Sequence, residues 1–320
     1  MKAKATALIV CVLMVATVFA AMVGNVSADA TEEWAKQGMV LDYDGFNPGV
    51  QYPFVLKDNG GYKMWYSGLN LPHGNIYYAT SSDGVTWTEQ GLVLSTPPGL
   101  VYAVAPSVLI EDDGTYKMWY SCQDYSWDAR TYLATSNDGI NWVKQGIAVD
   151  IGPPGSPDSR YAVQAKVFRD DGVYKMYYKS YDDNSTSHFM YATSTDGYSW
   201  TKHGVVMDMP AGFTGMGTPF VVKNQNGTYT MWYHGGIGVA RINIAYSVDG
   251  LNWAQGGVDL DVGVAGELDD AGVFCPFVLR DSSTGMDWMY YAGSDGSKRR
   301  IFLATRFVEP INQSPIADAG

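Results

Sequence analysis

Carboxylates, aromatic rings and one arginine gather in several long loops whose sequences differ from one another. Acidic side chains that face one site can donate and accept protons. Aromatic faces, carboxylates and amides together suit sugar rings, which offer apolar C–H faces and hydroxyl edges. Long, dissimilar loops on a rigid scaffold are where binding residues concentrate. The loops are 42–47, 123–128, 155–161, 181–183, 234–236 and 267–270. For any single residue, an ordinary hydrated loop surface is the alternative interpretation.

A fivefold repeat indicates which elements carry these loops. In each unit a methionine lies within an aromatic run and a small residue follows, and in the first four units the segment Ser-x-Asp-Gly-x-x-Trp comes last. The equivalent tryptophans Trp34, Trp87, Trp142, Trp200 and Trp253 lie 53, 55, 58 and 53 residues apart. This period is typical of propeller blades. The repeated methionines and small residues are Met64, Met118, Met176, Met231 and Met289, and Ala79, Ala134, Ala192, Ala245 and Ala304.

Each period holds four short runs rich in Val, Tyr, Trp, Met and Thr, separated by Gly, Asn and Asp, which predicts four strands. No stretch after residue 30 shows sustained helical periodicity. The fifth repeat lacks its last element, whereas Trp34–Asp42 reads like that element. The sequence therefore predicts an all-β, five-bladed β-propeller with four antiparallel strands per blade, its ring closed by the N-terminal strand.

Strand order assigns the connections to two faces. The turns between strands 1 and 2 and between strands 3 and 4 share one face and are short and nearly identical. Their repeated carboxylates are predicted to cap the turns: Asp83, Asp138, Asp196 and Asp249. The long loops share the other face. There we expect one acidic pocket at the mouth of the central channel, surrounded by Asp44, Asp124, Asp158, Glu267 and Asp270.

The two ends of the chain indicate an extracellular setting. Lys2 and Lys4 precede an apolar run that ends in Ala-Asp-Ala, so residues 1–30 are predicted to be a secretory signal peptide. An uncleaved membrane anchor is the alternative. Residues 31–308 are the predicted propeller. Residues 309–320 have the character of a linker and resemble the opening of a PKD repeat, a stalk module of surface proteins. The expected location is secreted or attached to the cell surface.

The net charge bears on the class of partner, and the cysteines bear on disulfide formation. The net charge is −12, and it becomes −13 without Lys2, Lys4 and Asp29. An acidic exterior argues against nucleic acid as a partner and would tolerate a bound cation. After residue 30 the cysteines are Cys122 and Cys275, for which two buried free thiols are favoured over a disulfide.

The repeated segments carry a family resemblance. Gly60–Gly68 and Gly114–Cys122, each followed by Ala-Thr-Ser-x-Asp-Gly-x-x-Trp, resemble five-bladed glycoside hydrolases related to arabinanases, β-xylosidases and invertases. Glycoside cleavage needs two carboxyl groups that flank the bond. The family supplies acids near the starts of innermost strands, often as Asp-Pro. The corresponding pairs here hold no acid: Tyr52-Pro53, Ala105-Pro106, Ala165-Lys166, Thr218-Pro219 and Cys275-Pro276.

Two functions stay open on this resemblance. A hydrolase of the arabinanase or xylosidase type would take its catalytic acids from the loops, the candidates being Asp44, Asp124, Asp158, Glu267 and Asp270. A non-catalytic propeller would bind glycans, or serve as the adhesive or structural head of a surface protein. The predicted substrate-binding residues are Tyr52, Trp127, Arg160, Gln164 and Asp182.

The expected partner is a polysaccharide or a glycoprotein glycan. Membrane contact is expected only through an uncleaved signal or a further C-terminal region. No cofactor is required by these chemistries. The Tyr-His segment at His234 is similar to one in arabinanase relatives, where the histidine helps to hold a central metal ion. The resemblance thus implies a divalent cation such as calcium, and the alternative for His234 is a hydrogen-bonded structural histidine.

Overall fold

The computed structural model describes residues 33–42, 45, 48–58, 60–70, 73–281 and 284–308. In these ranges the secondary structure consists of β-strands joined by turns and loops. In these ranges no helix could cross a membrane. The predicted signal peptide, the predicted linker and Asp44 lie outside them. The strands are β1 Ala35–Leu41, β2 Pro48–Asp58, β3 Gly61–Asn70, β4 His73–Ser81, β5 Thr88–Leu94, β6 Leu100–Ile110, β7 Tyr116–Asp124, β8 Ala129–Ser136, β9 Val143–Val149, β10 Tyr161–Asp170, β11 Val173–Tyr181, β12 Ser187–Ser194, β13 Thr201–Asp208, β14 Met216–Lys223, β15 Tyr229–Gly235, β16 Arg241–Ser247, β17 Ala254–Leu260, β18 Gly272–Asp281, β19 Met286–Ser294 and β20 Arg299–Phe307.

The strands pair in antiparallel groups of four. Four groups run consecutively along the chain, as β2–β5, β6–β9, β10–β13 and β14–β17. The fifth group comprises β18, β19 and β20, and β1 supplies its outer strand. Ala35 lies opposite Thr305 and Leu41 lies opposite Ile301. This is the pairing that the sequence predicts for the N-terminal strand.

A methionine and an alanine form the centre of every group. Met64 on β3 lies opposite Ala79 on β4, and the same cross-strand pair recurs in the other four groups. All ten side chains are fully buried. A long, unbranched methionine beside an alanine fills the space between sheets without crowding, and this explains the fixed spacing of the two residues along the chain.

In four of the five groups, the aromatic residue that follows the repeated methionine joins its group to a neighbouring one. Trp65 Nε1 donates to Gly139 O at 2.8 Å, and Trp119 Nε1 donates to Gly197 O at 3.0 Å. Tyr177 and Tyr290 use their hydroxyl groups in the same way, on Gly250 O and Gly84 O. The acceptors are the glycines of the repeated Asp-Gly turns, so one repeated type of contact ties neighbouring groups together.

The repeated turn carboxylates act as caps. Asp138 Oδ1 accepts hydrogen bonds from the backbone N–H groups of Ile140 and Asn141, at 2.8 and 2.7 Å, and from Ser136 Oγ at 2.9 Å. The other three turns repeat this arrangement. These hydrogen bonds favour the charged carboxylate, and they lower the pKa of Asp83 to about 2. The structural role predicted for the Asp-Gly turns agrees with these contacts.

Cys122 and Cys275 are both buried and free. The prediction of free thiols is confirmed. Burial raises the pKa of both thiol groups, because the thiolate loses its hydration. Neither side chain therefore has the exposed, low-pKa environment of a reactive cysteine.

Candidate functional site

One residue in the first strand of each group has a left-handed backbone. The five φ angles lie between 53° and 55°, and each residue falls where the strand register is interrupted, at Tyr52, Ala105, Gln164, Thr218 and Cys275. Such bulges re-aim a side chain, and a positive φ is unusual for bulky or β-branched residues such as tyrosine and threonine. Strain of this kind clusters at ligand sites. We call these five positions the bulge residues, and they define the candidate site.

The third bulge residue corrects the register expected from sequence. The sequence places Ala165-Lys166 at the Asp-Pro position of the resembling family, but the interruption in β10 spans Gln164 and Ala165. Gln164, with φ 54°, is therefore the equivalent of Tyr52. The error is one residue, and it arises because this repeat has no proline to mark the bulge. The conclusion that none of the five positions is acidic is unchanged.

Gln164 links three of the five first strands. Its Nε2 donates to the hydroxyl oxygen of Tyr52 at 2.9 Å, and its Oε1 accepts from the backbone N–H of Thr218 at 2.8 Å. Tyr52 and Gln164 are 112 residues apart in the sequence. The bulge residues of β2, β10 and β14 are thus brought together, as a shared binding site requires.

Three second-strand side chains hold the bulges in place. The N–H of Ala105 donates to Ser67 Oγ at 2.9 Å, and the N–H of Gln164 donates to Ser121 Oγ at 2.8 Å. In the fifth group the N–H of Cys275 donates to His234 Nδ1 at 3.3 Å. Hydrogen bonds to these backbone amides offset the conformational cost of a positive φ.

His234 is held in its neutral form. Nδ1 accepts a hydrogen bond, so the proton of the neutral ring lies on Nε2. Burial, with Lys179 and Arg299 nearby, lowers the pKa of His234 well below its usual value. Within the ranges that the structure describes, no group of three or more His, Cys, Asp or Glu side chains is arranged to hold a metal ion. The structure therefore gives His234 a hydrogen-bonding role, and the metal role stays a prediction.

Cations and aromatic rings surround the bulge residues. The Arg299 guanidinium lies 4.5 Å from the centre of the Phe274 ring and donates to Gln51 Oε1. Lys179 Nζ lies 4.5 Å from the centre of the Tyr181 ring. Apart from Gln51, which is buried, these side chains are partly exposed. The described surroundings of the bulge residues are thus cationic and aromatic, and the acidic pocket expected from sequence stays a prediction.

A buried lysine lies below this layer. Lys166 is 3% exposed, and its Nζ donates to Pro106 O at 3.0 Å and lies 5.3 Å from the centre of the Phe54 ring. Burial lowers the pKa of Lys166 to about 7, because the ammonium group has lost its hydration. The charged form of Lys166 is therefore disfavoured in the folded protein.

The other predicted substrate-binding residues lie on the long loops. Trp127 is 68% exposed at the tip of the β7–β8 loop. Arg160 is paired with Asp128 at 3.1 Å and donates to Ser126 O at 3.0 Å, so it braces the loop that carries Trp127. Asp182 caps its own loop through the N–H groups of residues 184 and 186. Of these three predicted residues, Trp127 is the one whose side chain is mostly exposed.

The predicted catalytic acids have local partners. Asp124 accepts from the backbone of residues 126 and 128 and pairs with Arg130 at 2.8 Å. Asp158 is buried between Lys202 Nζ, at 2.7 Å, and the Tyr178 hydroxyl, at 3.1 Å. Glu267 and Asp270 accept backbone N–H groups of their own loop. None of these hydrogen bonds or ion pairs involves the first strand of a group. None of them joins two of the predicted catalytic acids. Their catalytic role, like that of Asp44, stays a prediction.

Sequence reasoning missed Arg299, Lys179 and Gln51. Lys179 had a readable signal, because it occupies the place of Ser67 and Ser121 in the repeated Met-aromatic-Tyr-Ser segment. His234 departs from the repeat at the same place. Arg299 and Gln51 had no such signal, since their contact joins β20 to β2 across 248 residues.

Sequence comparison finds relatives that match part of the chain. No family model matches the chain. The uncharacterized proteins MT1551 and Rv1502 of Mycobacterium tuberculosis are each 36% identical to it over 139 residues, which is 40% of this chain and 44% of theirs. The chain thus spans less than half the length of these curated relatives.

Solved structures match over most of the chain. A structure of BT0996 in an RGII complex has a TM-score of 0.74 and 17% identity, and the match covers 90% of this chain and 95% of that one. Zg3597, a family 117 glycoside hydrolase from Zobellia galactanivorans, gives 0.65 and 19%, covering 87% and 91%. An N-acetylgalactosamine deacetylase from F. plautii, in complex with blood group B trisaccharide, gives 0.65 and 19%, covering 85% and 94%. The chain therefore has the propeller-like, all-β fold of glycoside hydrolases.

Proposed function

We propose that this protein is an extracellular five-bladed propeller that binds a glycan at the mouth of its central channel and does not cleave it. The observation that carries this proposal is the set of bulge residues. Hydrogen bonds join three of these positions, Tyr52, Gln164 and Thr218, and the five side chains are tyrosine, alanine, glutamine, threonine and cysteine, with no acid among them. The proposed partner is a polysaccharide or a glycoprotein glycan.

Contacts between the groups support a closed ring. The five first strands contact one another in the order β2, β6, β10, β14 and β18, and β18 also contacts β2. The Tyr290 hydroxyl, in the last group, donates to Gly84 O in the first at 2.8 Å. In this proposal each group of four strands is a blade, and β1 is the strand that closes the ring.

A repeated side-chain triad supports the same closure. In the third group Lys202 on the outer strand pairs with Asp158, which accepts from the Tyr178 hydroxyl. In the fifth group Lys36 on β1 pairs with Asp269 at 2.8 Å, and the Tyr291 hydroxyl donates to the same carboxylate at 2.9 Å. Lys36 thus fills the place of a lysine from a regular outer strand.

Binding without cleavage follows from the chemistry at the mouth. Glycoside hydrolysis needs an acid and a second carboxylate on either side of the bond. Among the residues that the structure describes, the hydrogen bonds and ion pairs of the bulge residues, Arg299 and Lys179 include no carboxylate. Amide, hydroxyl and guanidinium groups of this kind bind sugar hydroxyls. This absence of acids favours a binding propeller over a hydrolase.

The β7–β8 loop adds a surface for stacking. Tyr125 and Trp127 are 72% and 68% exposed, and Gln123 Nε2 joins the loop to the Tyr161 hydroxyl at 2.7 Å. Exposed aromatic faces pack against the C–H faces of sugar rings. We propose that a chain of several sugar units extends from the bulge residues to Trp127. The complex of one similar structure with blood group B trisaccharide supports a saccharide as the ligand.

A glycan array on the purified chain tests this function, followed by titration calorimetry on the tightest ligand. Trp127→Ala is expected to weaken binding about tenfold, the scale of one lost stacking contact, without changing the melting temperature. Tyr198→Ala, at an aromatic residue that is 45% exposed in an Asp-Gly turn, is the matched control. Equal losses in the two variants would contradict the proposed site. Release of reducing sugar from the bound glycan would contradict the non-catalytic proposal.

A further inference from the structure

The cations near the mouth differ from the other cations of the chain. In the ranges described, every lysine and arginine pairs with a carboxylate except Lys144, Lys166, Lys179 and Arg299. Lys144 lies apart on β9, where its Nζ is 3.4 Å from Ser95 Oγ. The other three belong to the candidate site. In a chain of net charge −12, a group of unpaired cations is the exception.

Arg299 and Lys179 flank the same histidine. The Arg299 guanidinium packs on Phe274, whose ring centre is 5.6 Å from that of His234. Lys179 lies opposite Val163 in the β10–β11 pair, directly before the bulge at Gln164. The positive charge of both residues contributes to the low pKa of His234. The mouth therefore holds two cations near a neutral imidazole.

Arg299 is prepared to bind a carboxylate. Gln51 Oε1 accepts a hydrogen bond from one guanidinium N–H, and the Phe274 ring packs against the guanidinium. These two contacts fix the orientation of the Arg299 guanidinium. The remaining N–H groups have no hydrogen-bond partner in the described part of the chain. A planar guanidinium held in this way forms paired hydrogen bonds with a carboxylate, and each charged hydrogen bond is stronger than a neutral one. Gln51 acts as a positioning residue.

We propose that the mouth recognises a saccharide whose bound ring carries a carboxylate, a uronic acid residue, which pairs with Arg299 and Lys179. This inference rests on the proposed glycan-binding function and names the class of glycan. The acidic exterior repels long polyanions, whereas the two cations at the mouth attract one anionic group. Gln164 and Tyr52, beside Arg299, are placed to bind the ring hydroxyls.

Paired oligosaccharides test the proposal. Calorimetry compares glucuronate, galacturonate and mannuronate oligosaccharides with their carboxyl-reduced, neutral counterparts, and with sulfated neutral oligosaccharides. We expect at least one uronate to bind about tenfold or more tightly than its reduced counterpart, and this preference to shrink as salt rises from about 0.05 to about 0.5 M, since salt screens the attraction between charges. Equal binding of the neutral member, or binding of the sulfated sugars alone, would overturn it.

Variants separate the site from general electrostatics. Arg299→Gln and Lys179→Gln are expected to abolish the preference for the uronate, and Arg299→Lys to restore only part of it, because the ammonium group lacks the paired geometry. Lys144→Gln removes an unpaired surface cation and should leave the preference unchanged. Unaltered melting temperatures check the fold. A preference that survives in both Arg299→Gln and Lys179→Gln would contradict the proposal.

Neutral glycan binding without a uronate preference would overturn this inference alone, and no saccharide binding at all would overturn the proposed function too.

Discussion

The two faces of the molecule use hydrogen-bonding side chains in opposite ways. On the face of the Asp-Gly turns, a carboxylate such as Asp138 accepts several short hydrogen bonds from its own turn, and the arrangement recurs four times with little change. At the mouth, the bulge residues share one backbone conformation but carry different side chains. Gln164 bonds to Tyr52 and Thr218, in other groups of strands, and not to its own loop.

This contrast separates what builds the fold from what a ligand can read. A side chain repeated in every unit satisfies a need that every unit has, here the capping of a turn and the packing of a tryptophan. A position whose backbone repeats but whose side chain does not is free to serve one ligand. Repetition of the carboxylates therefore indicates structure, and variation at the bulge residues indicates recognition.

Removal of β1 is expected to have the largest effect, because β1 supplies the outer strand of the fifth group. Trp34 Nε1 donates to Asp259 Oδ2 at 2.7 Å, and the Arg306 guanidinium lies 4.3 Å from the Trp34 ring centre. Deletion of residues 31–42 is expected to lower the free energy of unfolding by more than about 3 kcal/mol, the scale of losing one buried tryptophan. Urea denaturation measures it. Met39→Ala, at an exposed residue of the same strand, is the control, and a truncated chain as stable as the full one would refute closure by β1.

Lys166→Met tests the mouth side of this comparison, because Lys166 is a buried amine with no carboxylate partner in the described ranges. As pH falls from above 10 towards 7, the unfolded chain takes up the lysine proton and the folded chain does not, so folding loses stability across this window. Below pH 7 both states are protonated and the loss is constant. The variant should therefore be more stable by several kcal/mol at pH 6, since the pKa falls from 10.5 to about 7 and each pKa unit corresponds to about 1.4 kcal/mol, and most of this gain should be lost by about pH 10. Denaturation curves at both pH values measure it, and a variant less stable at pH 6 would contradict the buried-charge account.

Asp138→Ala tests the other side of the comparison and has the smallest expected effect. The change removes the cap of one turn, which should cost about 1 kcal/mol or less of unfolding free energy, the scale of a lost hydrogen bond. Glycan affinity should be unchanged. Trp127→Ala should do the reverse, lowering affinity and leaving stability intact. Thermal melting measures the stability of the two variants, and calorimetry measures their glycan affinity. Loss of glycan binding in Asp138→Ala at unchanged stability would move the site to the turn face.

The fold could be predicted from the sequence because its determinants repeat. Met64 and Ala79 recur with nearly constant spacing in every unit, and cross-strand packing requires that spacing. The Asp-Gly turns were predictable for a similar reason, since their hydrogen bonds connect residues only two or three apart.

The candidate site was only partly predictable. Tyr52 and Gln164 are predicted as binding residues, but their contact joins positions 112 residues apart and no local pattern encodes it. The bulge at Gln164 was misplaced by one residue because only strand register fixes it. The unpaired cations near the bulge residues were also not predictable from sequence. Loop composition shows how many acids are present, whereas ion pairing decides which charges stay free. Asp158 is neutralised by Lys202, 44 residues away, and Arg299 is not neutralised by any described carboxylate.

Hydrogen exchange with a bound glycan tests the central claim most directly, because it maps the ligand without any substitution. Exchange rates of backbone amides are compared with and without the tightest saccharide from the array, by mass spectrometry of peptides that cover both faces. The account predicts slower exchange in peptides that contain residues 48–58, 123–129, 161–170 and 216–223, where the bulge residues and the Trp127 loop lie. Peptides that contain the turn 136–142 should exchange as before. Protection confined to the Asp-Gly turns, with no change in the first strands, would contradict it.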